Sequence, residues 1–216
     1  MFVVIEGIDG SGKTTLINLL KGSFPNATFV RTPGGMVPEI RNLVMDPKND
    51  LYPVTKMFMF LSEMIEIQKK YKHEELVICD RFFLSTFVYQ VLENAQYLTK
   101  GQYDCAVAMF TNFLKPVDMT FILTVDIETA TKRSKSKSLE FDSTDSFENS
   151  DVMKWIERRT AYEHPERTPI NYMLGNIEII DTTHERPADI FLKVVNKIVI
   201  HSYLKGSPLD FGEKNE

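Results

Sequence analysis

Residues Gly7-Ile8-Asp9-Gly10-Ser11-Gly12-Lys13-Thr14 fill every fixed position of the pattern G-x-x-x-x-G-K-S/T. Glycines at this spacing let the backbone curl until successive N–H groups point inward, which makes a cradle for phosphate oxygens. A helix starting where the loop ends aims its positive end at the same place. In that setting Lys13 reaches the β- and γ-phosphates of a nucleoside triphosphate, and the Thr14 hydroxyl takes a magnesium site. A glycine turn matches this pattern by accident in on the order of 1% of chains this long. Here the context argues against accident: an apolar strand signal precedes the loop and an apolar-striped helix signal follows it.

A second pair with chemical potential is Asp80-Arg81, which closes the apolar run Leu76-Val77-Ile78-Cys79. In a parallel sheet this strand end lies close to the phosphate loop. Asp80 can then order magnesium-bound water, and Arg81 can bridge two phosphates, because its planar fork binds two oxygens and never loses its charge. The bland alternative is a helix-start pair on the surface. A guanine-reading Asn-Lys-x-Asp is missing: Asn196-Lys197 sits inside a helical pattern and is followed by Ile198-Val199. That argues against a GTPase.

Strand and helix signals alternate along the chain. Strands are expected at 2–5, 28–30, 76–79, 119–125 and 177–180, all short and rich in β-branched or aromatic residues. Helices are expected at 14–21 with Gly22 as the stop, at 38–45, from Pro53 to the Lys69-Lys70-Lys72 cluster, at 84–97, 102–114, 151–162 and 187–204. In the Pro53 helix, Met57, Phe60, Leu61, Met64 and Ile65 form an apolar stripe. A further helix begins at Ile127 and dissolves into the Lys-Ser alternation after Arg133. From there to Ser150 the chain is rich in Ser, Asp and Glu without apolar period, and reads as a mobile surface segment, composition alone favouring a solvated loop. Alternating strands and helices imply an α/β fold, a parallel sheet with helices on both faces and ligands at the carboxyl ends of the strands.

The 216 residues favour one domain, expected over 1–205, with a disordered tail at 206–216. Composition is ordinary for a globular protein, with 43% hydrophobic and 25% charged residues. A net charge of −5 argues against coating a nucleic acid polymer. The two cysteines, Cys79 and Cys105, have no metal-type spacing. No signal core and no run of ~20 apolar residues is visible. A cytoplasmic protein away from membranes is the expectation.

Three blocks resemble the thymidylate kinase family, with a phosphate loop closer to its bacterial type. They are Glu6 to Thr15; Arg31-Thr32-Pro33-Gly34-Gly35 with Glu39-Ile40-Arg41; and Asp80-Arg81 with Ser85-Thr86 and Tyr89-Gln90. Pro116-Val117-Asp118-Met119-Thr120, Lys132-Arg133, and Arg159 with Tyr162 add support, so the resemblance spans nearly the whole chain. It implies a P-loop NTPase fold of the nucleoside monophosphate kinase kind, closed by a lid over about 134–150, and a homodimer. It implies ATP as phosphate donor, Mg2+ at Thr14 and Asp80, and dTMP as acceptor. Gly7, Asp9, Gly10, Ser11, Gly12, Lys13, Thr14 and Thr15 would hold the donor, with Lys135 and Lys137 as lid cations. Asp9 would bind the 3′-hydroxyl of the sugar, while Arg31, Arg41 and Arg81 would hold the acceptor phosphate. Phe60 would stack on the base, with Ser85, Thr86 and Gln90 near its polar edge, and Tyr89 would exclude a 2′-hydroxyl. Lys13, Arg81, Asp80 and Asp9 would carry catalysis.

Read without the resemblance, Phe60 fits core packing better than a site, Tyr89 fits the core equally well, and Arg41 fits a solvated helix arginine. This chain also departs from the family pattern. Thr32 stands where the family usually has a glutamate, Met64 where it usually has an arginine, and Asp145-Ser146 where a lid arginine would follow an aspartate. These departures leave open a broader deoxynucleoside monophosphate kinase. A deoxynucleoside kinase is a further reading, against which three arginines for one acceptor argue. A nucleotide-binding regulatory protein without turnover is the reading from outside enzymology.

Overall fold

The computed structural model describes residues 1–46, 48–138, 152–206 and 209, with 134–138 and 152 described by their backbone alone. Among these residues lies a five-stranded sheet in the order β2-β3-β1-β4-β5, formed by β1 (Phe2–Gly7), β2 (Thr28–Arg31), β3 (Val77–Asp80), β4 (Met119–Thr124) and β5 (Asn176–Asp181). All neighbouring strands are parallel. Parallel strands need helical crossovers that cover both faces, so the central strands are apolar runs without alternation. Accordingly, every residue of β4 is buried.

The helices are α1 (Lys13–Ser23), α2 (Pro38–Met45), α3 (Pro53–Lys70), α4 (Phe83–Thr86), α5 (Lys100–Phe113), α6 (Ile127–Ser138), α7 (Val152–Glu163) and α8 (Pro187–Leu204). Strand side chains alternate between faces, which splits the core in two. Val3 and Ile5 of β1 join Leu16 and Leu20 of α1 and Val194 and Ile198 of α8 on one face. Val4 joins the stripe of α3 on the other, together with α4 and α5. Met57, Leu61, Met64 and Ile67 recur on the inner side of α3, and all four are buried. Truncating one to alanine is expected to cost about 2–5 kcal/mol.

Three elements differ from the pattern-based expectation. α1 runs through Gly22 to Ser23. A helix-interior glycine costs about 1 kcal/mol, which packing of Leu16, Ile17 and Leu20 outweighs. α6 does not dissolve after Arg133 but continues across the Lys-Ser alternation to Ser138, carrying the backbone of Lys135 and Lys137. Lysine is a good helix former and serine a tolerated one, so a missing apolar period does not by itself exclude helical backbone. The rest of the expected lid and, apart from residues 206 and 209, the tail lie outside the described residues.

The third difference lies at the site. The helix expected over 84–97 is interrupted: α4 passes into a π-helical turn at Phe87–Leu92 and a 3-10 turn at Ala95–Tyr97. The Glu93 N–H bonds back five residues to Val88 O at 3.0 Å, and the Asn94 side-chain amide donates to Tyr89 O, also at 3.0 Å. A wider turn changes which side chains face one way, so a 3.6-residue period cannot reveal it; such turns are frequent at functional sites.

Candidate active site

The strands end together. Arg31 and Ile5 both pair in register with Asp80, and Gly7 pairs with Leu123. Arg31, Asp80, Leu123 and Thr182, at or just past the ends of four strands, all line one cavity of about 870 Å³. That volume is at the upper end of the range for small-molecule sites.

One half of the cavity is the glycine-rich loop. It runs from β1 to α1, whose N-terminus at Gly12 has no side-chain cap, so its first N–H groups face the cavity. Gly10 has φ +79°, and a Cβ there would come within 2.8 Å of the Ala130 Cα, so glycine lets α6 close against the loop. Lys13 turns its ammonium back onto the carbonyl oxygens of Gly7 (2.9 Å) and Ile8 (2.7 Å). Burial, then the Arg81 charge, lower its pKa to about 7, against the opposite pull of Asp9 and Asp80. Gly10, Ser11, Gly12, Thr14 and Thr15 line the cavity; Gly7 instead offers its carbonyl to Lys13 and Arg81.

Arg133 of α6 lies across the same loop. Its guanidinium donates to Gly10 O (3.2 Å), to Thr182 O (2.8 Å) and to Thr182 Oγ1 (3.1 Å). Lys137 follows one helical turn later on the same face as Arg133, whereas Lys135 falls on the opposite face.

Arg81 stands between the two halves. Its φ is +62°, the left-handed region that few non-glycine residues occupy and that marks sites held by their surroundings. Its backbone is fixed by an N–H to Ile5 O at 3.0 Å, while its carbonyl accepts Thr32 Oγ1 at 2.9 Å. Its fork donates to Gly7 O (3.1 Å), to Ser85 Oγ (3.0 Å) and, through Nη2, to Asp9. Desolvation pushes the Asp9 carboxyl up, but Arg81 and Lys13 outweigh it and hold the group below the ordinary aspartate value.

The other half is lined by Arg31, Arg41, Lys56, Phe60, Thr86, Tyr89 and Gln90. The π-helical turn brings Tyr89 and Gln90 to the wall. The Tyr89 hydroxyl donates to Asp9 at 3.1 Å, and burial followed by the Asp9 charge raises its pKa. Gly34 (φ +90°) lets the turn after β2 pack on α2, since a Cβ there would sit 2.5 Å from the Arg41 Cβ. That turn is anchored by the buried carboxylate of Glu63, on α3, which accepts the N–H groups of Gly34 (2.8 Å), Met36 (2.9 Å) and Val37 (3.2 Å). At the family's usual glutamate position Thr32 binds the Arg81 carbonyl, so a carboxylate does serve this loop, from another element. Met64 is fully buried and points into the core rather than the cavity.

The cavity thus brings together Asp9, Lys13, Thr14, Arg31, Arg41, Phe60, Asp80, Arg81, Ser85, Thr86, Tyr89 and Gln90 from the expected set. The side chains of Lys135 and Lys137 lie outside the described residues. Ser85 lines the cavity, and its hydroxyl is engaged by Glu6, Arg81 and Tyr162. Among the supporting residues, Arg159 pairs with Glu163 at 2.7 Å, and it is its neighbour Arg158 that lines the cavity. Arg158 grips Glu93 with two nitrogens (2.9 and 2.8 Å) and lies 4.4 Å over the Tyr89 ring. The spacing of Trp155, Arg158 and Tyr162 on one face of α7 carried that signal. Glu6, Glu63 and Lys56 gave no comparable signal.

A phosphate loop at the end of the central strand, facing an arginine-lined pocket across one cavity, defines a P-loop kinase of the nucleoside monophosphate kinase class. A family model described as thymidylate kinase matches residues 5–183. The chain belongs to the thymidylate kinase family and is an ATP-dependent phosphotransferase. It is 30% identical over 212 residues to a probable thymidylate kinase of Methanocaldococcus jannaschii, covering 96% of this chain and 97% of the relative. Against thymidylate kinase of Chlamydia felis the identity is 30% over 190 residues, covering 81% and 88%. Among solved structures, thymidylate kinase of Candida albicans superposes with a TM-score of 0.68 at 17% identity, covering 91% of this chain and 90% of that one. The Ehrlichia chaffeensis enzyme gives 0.58 at 24% identity, covering 92% and 98%. Both likenesses are of fold.

Proposed function

We propose that this chain transfers the γ-phosphate of ATP to dTMP, giving ADP and dTDP. The observation that carries the reading is one cavity lined both by Lys13 and Thr14 of the phosphate loop and by Arg31, Arg41 and Arg81. Donor and acceptor phosphates are anionic, so transfer needs positioning and charge neutralisation more than covalent help.

In this reading the loop N–H groups and Lys13 hold the donor phosphates, and Arg133 neutralises them from α6, joined by Lys135 and Lys137 where the chain continues as a lid. Arg31 and Arg41 hold the acceptor phosphate, and Arg81 bridges both reacting groups. Asp9 takes the 3′-hydroxyl, Phe60 stacks on the base with Thr86 and Gln90 at its edge, and Tyr89 blocks a 2′-hydroxyl. The oxygens of Thr14 and Asp80 suit a hard cation that keeps several waters, so these residues would hold Mg2+, which offsets phosphate charge. A cytoplasmic homodimer completes the proposal; no helix among the described residues is long and apolar enough to cross a membrane.

Burial of Met64 favours a second reading, a wider range of deoxynucleoside monophosphates. The test is a steady-state assay of dTMP, dUMP, dCMP, dGMP, UMP and CMP with ATP and Mg2+. Preference for dTMP in kcat/KM is the expected result. Equal use of several deoxynucleotides would select the broader reading, and no turnover with any would end both.

A further inference from the structure

Glu6 takes no part in the chemistry described so far, yet it is fully buried at the end of the central strand, beside the phosphate loop. Its Oε1 accepts the N–H groups of Phe82 (2.9 Å) and Ser85 (3.1 Å), and its Oε2 accepts the Ser85 hydroxyl. The two N–H groups, the Ser85 hydroxyl and the Arg81 charge favour the carboxylate form of Glu6, opposing the burial that raises its pKa. A serine hydroxyl has one proton to give and two lone pairs to offer. With its proton directed at Glu6, Ser85 Oγ presents both lone pairs to the cavity side. One accepts from Arg81 Nη1 at 3.0 Å and the other from the Tyr162 hydroxyl at 2.8 Å. The same Nη1 lies 3.4 Å from the Tyr162 oxygen.

These groups come from three elements: β1, α4 and α7. They converge on the one nitrogen of the Arg81 fork that faces inward, while Nη2 reaches Asp9 in the cavity. Replacing the carboxylate by a group with its own N–H would reverse the Ser85 proton, turning it toward Arg81, which cannot accept it, or toward the Tyr162 hydroxyl, whose own proton must then leave Ser85. We propose that Glu6 is a positioning residue for phosphoryl transfer: through Ser85 and Tyr162 it sets the direction of the Arg81 guanidinium. The proposal rests on the reading of Arg81 as the residue that bridges the reacting phosphates.

The test is a double-variant cycle in kcat and KM, with folding followed by circular dichroism and thermal melting. Glu6→Gln is expected to lower kcat about 100-fold, the scale of a misplacement near 1 Å, with little change in the KM for ATP. In an Arg81→Lys background, Glu6→Gln should bring no further loss, because the fork it directs is gone. Losses that multiply would overturn the proposal, as would wild-type kcat in Glu6→Gln. Full kcat in Arg81→Lys alone would instead overturn the bridging role on which the proposal rests, while leaving dTMP turnover itself in place. If Glu6→Gln does not fold, Tyr162→Phe decides, since it removes one hydroxyl and keeps the ring. A kcat fall of about tenfold, absent in the Arg81→Lys background, supports the proposal, and unchanged kcat sinks it.

Discussion

Lys13 lays its ammonium on the carbonyl oxygens of Gly7 and Ile8, inside the loop whose N–H groups form the phosphate cradle. Burial and the nearby Arg81 charge bring its pKa to about 7. Nucleotide phosphates favour the charged amine and raise that pKa, so binding takes up a proton near and above neutral pH. ATP affinity is therefore expected to be highest below about pH 7 and to fall as the pH rises beyond it. Calorimetry in buffers of different ionisation heat measures the uptake directly. Lys13→Arg, which does not titrate in this range, should flatten the dependence. An unchanged pH profile in that variant would show that Lys13 is not the titrating group.

Arg81→Lys should lower kcat about 100- to 1,000-fold, the cost of removing one aimed donor at developing charge. A lysine cannot span Gly7, Ser85 and Asp9 from one planar group. The control is Arg186→Lys, whose guanidinium pairs with Asp189 at the exposed start of α8. Equal activity of the two variants would remove Arg81 from the reaction centre.

Tyr89 and Arg158 should control sugar choice together. Tyr89→Ala is expected to raise kcat/KM for UMP and CMP relative to dTMP, because pockets without a steric block reject an added hydroxyl only weakly. Arg158→Ala should relax the same discrimination to a smaller extent, since it removes the guanidinium stacked on the Tyr89 ring and its pair with Glu93. Competition assays between dTMP and UMP give the ratio. Wild-type discrimination in Tyr89→Ala would assign the selection elsewhere.

Arg133→Ala should raise the KM for ATP and lower kcat more than Lys135→Ala does, because Arg133 is already anchored to Gly10 and Thr182 beside the loop. Lys137→Ala is expected to fall between the two, sharing the face of Arg133 one turn further on. A larger loss in Lys135→Ala would show that the segment beyond Ser138 redirects that lysine.

The phosphate loop, Asp80-Arg81 and the alternation of strands and helices were legible because each leaves a local signature: glycine spacing, an apolar run, a period. What stayed hidden depends on pairs far apart in the chain. Glu6 lies 79 residues from Ser85 and Glu63 lies 29 from Gly34, and a buried glutamate looks like any other until its donors are known. The π-helical turn at Phe87–Leu92 escaped because an added residue per turn leaves no compositional mark. Arg158 lost out to Arg159 because neighbouring arginines differ only in helix phase, and 100° decides which one enters the cavity.

The anchoring of the Gly34–Val37 turn by Glu63 limits how this cavity can diverge. Phe60 lies one turn before Glu63 on α3, while Arg31 and Arg41 flank the turn that Glu63 holds. Tilting α3 to suit a larger or smaller base would drag the phosphate grips with it and misplace the reacting oxygen. Changes in acceptor preference over descent must therefore come from exchanges of side chains in place, at Lys56, Thr86 and Gln90, while the helix itself stays put. Related chains that differ in acceptor are expected to superpose closely along α3 and to differ at those three positions.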